Sequence, residues 1–223
     1  MAFVAVAIDG PAGAGKSTAA RAAAKELGFI YVDTGALYRA IGLYAVEQGF
    51  DTTDTDTLEE NLSGIDVQLR FVDGEQRVFL NGRDVSAEIR RPDMGLAASN
   101  VSAQPAVRAF LLDLQRELAR RNDVVMDGRD IATVVLPDAQ VKIFLTASAE
   151  DRAARRYEEH LAKGEQVSYN TILAEINQRD YNDQNRAIAP LRVAEGAVLL
   201  DNSGFSPAET RNAIIEIIKD HLQ

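Results

Sequence analysis

The chain has 223 residues and a formal charge of −10 at neutral pH; the length suits one substantial α/β domain or a core with small insertions, and a hydrophobic fraction of 46% is enough for a proper core. No apolar run approaches the roughly 20 residues of a membrane span, and the acidic balance argues against a broad nucleic-acid surface, which needs basic groups to replace phosphate counterions. Without cysteine, disulfides, thiol chemistry and cysteine-ligated zinc are excluded. The start Met1-Ala2-Phe3 lacks a basic region and a cleavage site, so a soluble protein of the reducing cytoplasm is expected.

The apolar run from Phe3 to Ile8 reads as a strand. It leads into Gly10-Pro11-Ala12-Gly13-Ala14-Gly15-Lys16-Ser17-Thr18, the spacing of a phosphate-binding loop. Small residues there let successive backbone N–H groups turn inward on a polyphosphate, Lys16 can reach the β and γ phosphates, and Ser17 can ligate Mg²⁺. The alanine-rich stretch that follows ends at Gly28, so the loop feeds the positive N-terminus of a helix. Nucleotide binding follows from this context; the reaction does not.

A short strand is predicted over Phe29 to Asp33 and a helix over Gly35 to Tyr44. Thr34 either caps that helix or, with Arg39, faces a second phosphate compound beyond the strand end. The acidic run Asp51 to Asp56 lacks a calcium loop's glycine and terminal glutamate in register and reads as a solvated turn. Alternation at Val67–Val72 and Arg77–Leu80, with turn signals at Asp73-Gly74 and Asn81-Gly82, predicts a β-hairpin inserted in the α/β alternation.

Helical patterning returns near Ala97 and runs through Val107 to Arg120, ahead of a buried strand at Val124-Val125-Met126. Beyond it, Asp127-Gly128-Arg129-Asp130 places carboxylates and an arginine where a strand should end on the nucleotide rim. Asp127 can approach the metal or its waters, or support Arg129 from a buried position. A strand at Val141–Leu145 precedes an arginine-rich helix around Asp151 to Tyr157. The polar segment Arg179 to Arg186 reads either as a lid whose arginines clamp the moving phosphoryl group or as a solvated helix. A strand at Ala197–Asp201 and a helix through Ile214, Ile217 and Ile218 complete the scaffold.

Four motifs in this order resemble the bacterial cytidylate kinases. They are Ile8 to Thr18, Asp33-Thr34-Gly35-Ala36-Leu37-Tyr38-Arg39, Asp127-Gly128-Arg129-Asp130 with Pro137-Asp138-Ala139, and Arg179 through Arg186-Ala187 to Pro190-Leu191. The resemblance runs essentially end to end. It implies a P-loop nucleoside-monophosphate-kinase fold, α/β, with a five-stranded parallel sheet flanked by helices, an inserted β-containing lobe and a helical lid. The core would be residues 1–63, 92–155 and 191–223, the insert about 64–91 and the lid about 156–190. The implied activity is transfer from ATP to CMP or dCMP with Mg²⁺, with weak use of UMP, by a monomer needing neither nucleic acid nor membrane.

The resemblance also implies residue roles. Gly10 through Thr18 hold ATP, assisted by Arg155. Thr34 and Arg39 serve the acceptor, Arg39 on its phosphate. Ser99, Arg108 and Asp130 read cytosine, whose exocyclic amine suits a carboxylate where uracil presents a carbonyl. Arg129 and Arg186 join the phosphates, and Arg179 and Asp183 hold the sugar. Lys16, Arg129, Arg179 and Arg186 are the catalytic candidates, with Ser17 at the metal. An ionised acceptor phosphate needs no general base, so His160 and His221 are expected to be surface helix residues. Relatives that carry further lid arginines have them where this chain has Asn182 and Gln184, and some have glycine in place of Ser17. A guanine-reading Asn-Lys-x-Asp run, the mark of a nucleotide switch, does not occur.

Overall fold

In a computed structural model, which describes residues 3–72 and 75–222, the first apolar run forms β1 (Ala5–Asp9), all five residues buried. Helix α1 (Lys16–Leu27) starts inside the glycine-rich loop and ends at Gly28, whose left-handed conformation returns a backbone N–H to the Ala24 carbonyl. Strand β2 (Ile30–Asp33) and helix α2 (Thr34–Gln48) follow. The helix is capped by Asp33, which accepts from the Ala36 N–H, and Thr34 is its first residue. The capping role weighed for Thr34 therefore belongs to its neighbour, because the carboxylate one residue earlier already satisfies the orphan N–H.

Helix α3 (Thr55–Asn61) is capped by Asp54, and Asp51 accepts from Thr53, so the acidic run is a turn and a helix start. Strands β3 (Val67–Val72), β4 (Glu75–Leu80) and β5 (Arg83–Asp84) form an antiparallel sheet. The turn expected at Asp73-Gly74 lies outside the described residues, as do Met1 and Ala2. Helical patterning after Ala97 resolves into α4 (Met94–Ser102) and α5 (Pro105–Arg121). Pro105 opens the second helix, where its missing N–H costs nothing. The chain continues through β6 (Val124–Gly128), β7 (Val141–Thr146), α6 (Ala149–Ala162), α7 (Tyr169–Asn185), β8 (Val198–Asp201) and α8 (Pro207–Leu222).

Two compact units result. One comprises Met1–Tyr31 with Asp123–Gln223, the other Val32–Asn122. The five-stranded parallel sheet has the order β2-β6-β1-β7-β8. Asp9 at the end of β1 lies opposite Gly128 of β6 and Phe144 of β7. The register thus brings the carboxyl ends of β1 and β6 level, with β7 running two residues further to Thr146, at the edge where open parallel sheets bind ligands. Ala19, Ala20, Ala23 and Ala24 of α1 join Val6, Ile8, Val125, Ile143 and Leu145 of the sheet and Ile214, Ile215 and Ile218 of α8 in one apolar cluster. Alanines on α1 let the isoleucine-rich α8 approach closely.

In the other unit, one apolar cluster takes Leu37, Ile41 and Leu43 from α2, Val78 and Leu80 from β4, Met94 and Val101 from α4, and Val107 and Leu111 from α5. The hairpin segment expected as an insert, 64–91, shares its core with these helices, so the compact unit is wider than that segment. Helices α2 and α4 pack closely at Gly42. A Cβ built there would lie 2.9 Å from Ala97 Cβ and 3.2 Å from the Ala97 carbonyl carbon.

That contact gives a stability prediction. Gly42→Ala should destabilise the protein by about 1–3 kcal/mol through overpacking, and adding Ala97→Gly should recover part of the loss; urea unfolding midpoints of the single and double variants measure both.

Candidate active site

Backbone geometry at the loop explains its glycines. A Cβ on Gly10 would sit 1.9 Å from the Leu145 carbonyl oxygen, so any side chain there would push β7 from β1. Gly15 precedes α1 at φ 86°, a conformation glycine adopts without strain. Lys16 is buried, and its ammonium donates to the Pro11 carbonyl at 2.8 Å, within the loop itself. Ser17 and Thr18 are exposed at the first turn of α1.

Two side chains that sequence reasoning did not nominate hold this loop. Arg152 of α6 is buried and donates to the Ala12 carbonyl at 3.0 Å, to Ala147 O, and through both terminal nitrogens to Asp180 of α7. Its fork of donors is nearly consumed, and breaking such a buried pair costs about 3–5 kcal/mol. Asn202, fully buried, donates to the Ala14 carbonyl at 2.9 Å. Arg155, expected on ATP, donates to the carbonyls of Asn202 and Phe205 and connects to the loop through Asn202. Arg152 and Arg155 lie three residues apart on one helix, and nothing local in the sequence separates their roles.

Asp9 is the third unnominated residue. Its two carboxylate oxygens accept the backbone N–H groups of Ile131 and Ala132, each at 2.8 Å. These open a single π-helical turn, Ile131–Val135, immediately after Asp130. Such turns are rare and recur at functional sites. The only sequence signal for Asp9 is its position just before Gly10. Burial pushes its carboxyl up to about 6 against the lowering effect of the two N–H groups.

Carboxylates and arginines pair next to this turn. Arg129 Nε donates to Asp183 Oδ2 at 2.8 Å, and Arg186 Nη2 reaches Asp130 Oδ1 at 3.4 Å. Asp183 is buried in α7, and Arg179 lies on the same helix one turn earlier. Burial works to raise the Asp183 carboxyl, but Arg129, Arg179 and Arg186 together hold it below its ordinary value. Lys16 is held well below the usual lysine range, first by burial and then by the positive charge of Arg129. The segment 179–185 is thus the end of a helix. Asn182 and Gln184 are exposed on it.

Asp127 is engaged by two hydroxyls. Its Oδ2 accepts the Ser17 hydroxyl at 2.8 Å and its Oδ1 accepts the Tyr31 hydroxyl at 2.9 Å. Donating its proton to Asp127 directs the lone pairs of Ser17 outward. Among the described residues no group of three or more His, Cys, Asp or Glu side chains could hold a metal, so a divalent cation at Ser17 would draw most ligands from phosphate and water. Magnesium accepts that arrangement, and the hard oxygen donors present fit it.

The remaining expected residues lie in the second unit. Arg39 is on α2, 3.7 Å from Asp33 Oδ2, and Thr34, the first residue of the same helix, is buried. Ser99 is half-buried on α4, and its carbonyl accepts the Ser102 hydroxyl at 2.9 Å. Arg108 of α5 is buried, donates to the Ser102 carbonyl at 3.1 Å and lies over the Tyr38 ring. Ser99 and Arg108 are thereby joined through the last turn of α4. The two histidines are elsewhere: His160 pairs with Glu165 at the end of α6, and His221 Nδ1 lies 2.8 Å from the Ile217 carbonyl on α8.

Comparison with known proteins adds independent findings. A family model described as cytidylate kinase matches residues 6–220. The cytidylate kinase of Caldicellulosiruptor bescii is 49% identical over 212 residues, covering 95% of this chain and 94% of that one. The cytidylate kinase of Caldanaerobacter subterraneus subsp. tengcongensis is 50% identical over 220 residues, covering 99% and 96%. Among solved structures, an uncharacterized protein from Eubacterium ventriosum superposes with a TM-score of 0.52 at 14% identity, covering 97% of this chain and 98% of that one; at that identity it speaks for the fold alone. No helix of the described residues is long and apolar enough to cross a membrane.

Asp9 gives a pH prediction. Its carboxyl is raised to about 6 from an ordinary 3.8, so the native state binds the proton more tightly than the unfolded chain. The contribution is fully present below about pH 4 and is lost as pH rises through 6, by about 3 kcal/mol in all. Relative to Asp9→Asn, which cannot titrate, the wild type should lose that much advantage between pH 4 and 7. A pH-independent gap between their urea midpoints would show that Asp9 does not titrate there.

Proposed function

This chain belongs to the cytidylate kinase family, and on that premise we propose how its residues move the γ-phosphoryl group of ATP to CMP or dCMP. The observation that supports the reading is the set of cations at the loop and after β6: Lys16 held inside the loop by the Pro11 carbonyl, and Arg129 and Arg186, each paired with a carboxylate next to the turn that Asp9 holds. A phosphate-binding loop alone would place only the lysine.

In this reading Gly10 through Thr18 wrap the donor phosphates with backbone N–H groups, and Lys16 exchanges the Pro11 carbonyl for a phosphate oxygen. Ser17 would hold Mg²⁺ with its outward lone pairs, its hydroxyl fixed by Asp127, which Tyr31 in turn orients. The metal, when bound, neutralises charge on the β and γ phosphates. Arg155 supports the donor side through Asn202. Arg39 takes the acceptor phosphate, with Thr34 beside it. Ser99, Arg108 and Asp130 read the base, and Arg179 and Asp183 hold the sugar. Arg129 and Arg186, preset by Asp183 and Asp130, stabilise charge on the phosphoryl group in flight.

Transfer is direct and in line. The acceptor phosphate oxygen attacks the γ-phosphorus of ATP, the bond to the bridging oxygen breaks, and ADP leaves with that electron pair. The attacking oxygen is already ionised near neutral pH, so no side chain need remove a proton, and His160 and His221 take no part. Asp130 favours cytosine because the exocyclic amine donates to a carboxylate, where the uracil carbonyl leaves it poorly paired. The same polar mismatch leaves UMP a weak acceptor. A cytoplasmic monomer working on free nucleotides is the setting this reading carries, and the cysteine-free sequence suits it.

A coupled ADP-release assay with Mg-ATP and CMP, dCMP, UMP, AMP, GMP and shikimate tests the proposal. CMP and dCMP should turn over strongly, UMP weakly and the rest near zero; ADP release independent of any acceptor would sink it. Lys16→Ala should lower kcat by about two orders of magnitude or more with the circular dichroism spectrum unchanged. Asp130→Asn should narrow the preference for CMP over UMP by roughly 1–3 kcal/mol, read as the ratio of kcat/KM values.

A further inference from the structure

Gln76 of β4 grips the backbone of Asp33 at two points. The Asp33 N–H donates to Gln76 Oε1 at 2.9 Å, and Gln76 Nε2 donates to the Asp33 carbonyl at 3.3 Å. A primary amide offers an acceptor and a donor much as a peptide group does, so one side chain does for Asp33 what an adjacent strand's backbone would do. The residue it grips organises its surroundings. Asp33 is buried, its Oδ1 caps α2 by accepting from Ala36, and its Oδ2 faces Arg39 Nη1 at 3.7 Å. Thr34 follows it directly. Arg39 is the least constrained of these groups, with its side chain 30% exposed, and the Asp33 carboxylate is the ion-pair partner that orients it.

We propose that Gln76 is a positioning residue for the acceptor phosphate. It fixes the Asp33 backbone, the backbone fixes the carboxylate, and the carboxylate sets the direction of Arg39. The three-stranded sheet thereby contributes to acceptor affinity through a side chain on the strand that lies between its two neighbours. The inference rests on the reading of Arg39 as a ligand of the acceptor phosphate. A Gln76 that merely tied the sheet to α2 would affect stability alone; one that acts through Arg39 must affect one substrate and spare the other.

Steady-state kinetics on the full chain separate these. Gln76→Leu removes both bonds at similar volume, and Gln76→Glu keeps the acceptor but loses the donor. Gln76→Leu should raise the KM for CMP about tenfold, with kcat and the KM for ATP within about twofold of wild type. Gln76→Glu should fall between the two and carries the same test should the leucine variant not fold; wild-type binding of a fluorescent ADP analogue shows that the donor site is intact. Arg39→Met should itself raise the KM for CMP. In that background Gln76→Leu should add little, because two residues acting in series are not additive. A normal KM in both Gln76 variants beside a raised one in Arg39→Met overturns this inference alone, as do fully additive effects. A normal KM in Arg39→Met removes the acceptor role of Arg39 and the inference with it.

Discussion

A buried carboxylate ties the two halves of the phosphate machinery together. Asp9 ends the strand that launches the phosphate loop, and both of its oxygens are spent on N–H groups 122 and 123 residues further along the chain. Hydrogen bonds to an ionised carboxylate contribute about 1.5–3 kcal/mol each, yet the raised carboxyl of Asp9 means that burial outweighs them. The arrangement is therefore held against its own electrostatics. Its return is positional: the turn at Ile131–Val135 is locked to the end of β1, and Arg129 and Asp130, just before it, inherit that placement.

The same pattern recurs around the loop. Arg152 and Asn202 spend buried donors on the carbonyls of Ala12 and Ala14. With those carbonyls engaged from behind, the loop backbone is kept in one orientation before any ligand arrives. A preset array of N–H groups needs no reorganisation when charge develops on a phosphate. The cytidylate kinase assignment and this preorganisation are consistent: phosphoryl transfer asks little covalent work of the protein and much placement.

How much of this was legible follows from how local each signal is. The phosphate loop is contiguous, and its strand and helix context could be read from nine residues. The antiparallel strands were visible in alternation, and the carboxylate–arginine run after β6 in its position. Pairings across long separations were not: nothing near Asp9 names Ile131, and nothing near Arg152 names Ala12. One-residue choices were equally hidden. Asp33 and Thr34 are both good caps, and only the fold shows that the first does the capping. Arg155 and Arg152 are both exposed to the same local pattern, and the buried one reaches the loop. Gln76 carries no motif, since its partner is a backbone. For the same reason the hairpin looked separable, although its apolar face is shared with α2, α4 and α5.

The hydrogen bond from Lys16 to the Pro11 carbonyl has an energetic consequence for any anion that enters the loop. An ammonium already engaged by a neutral oxygen gains only the difference when it moves to a ligand, and that difference grows with the ligand's negative charge. Weakly charged molecules meet a loop that is content with itself. A ligand must therefore bring several negative charges to draw the ammonium off the Pro11 carbonyl, and a polyphosphate does so where a single neutral oxygen does not.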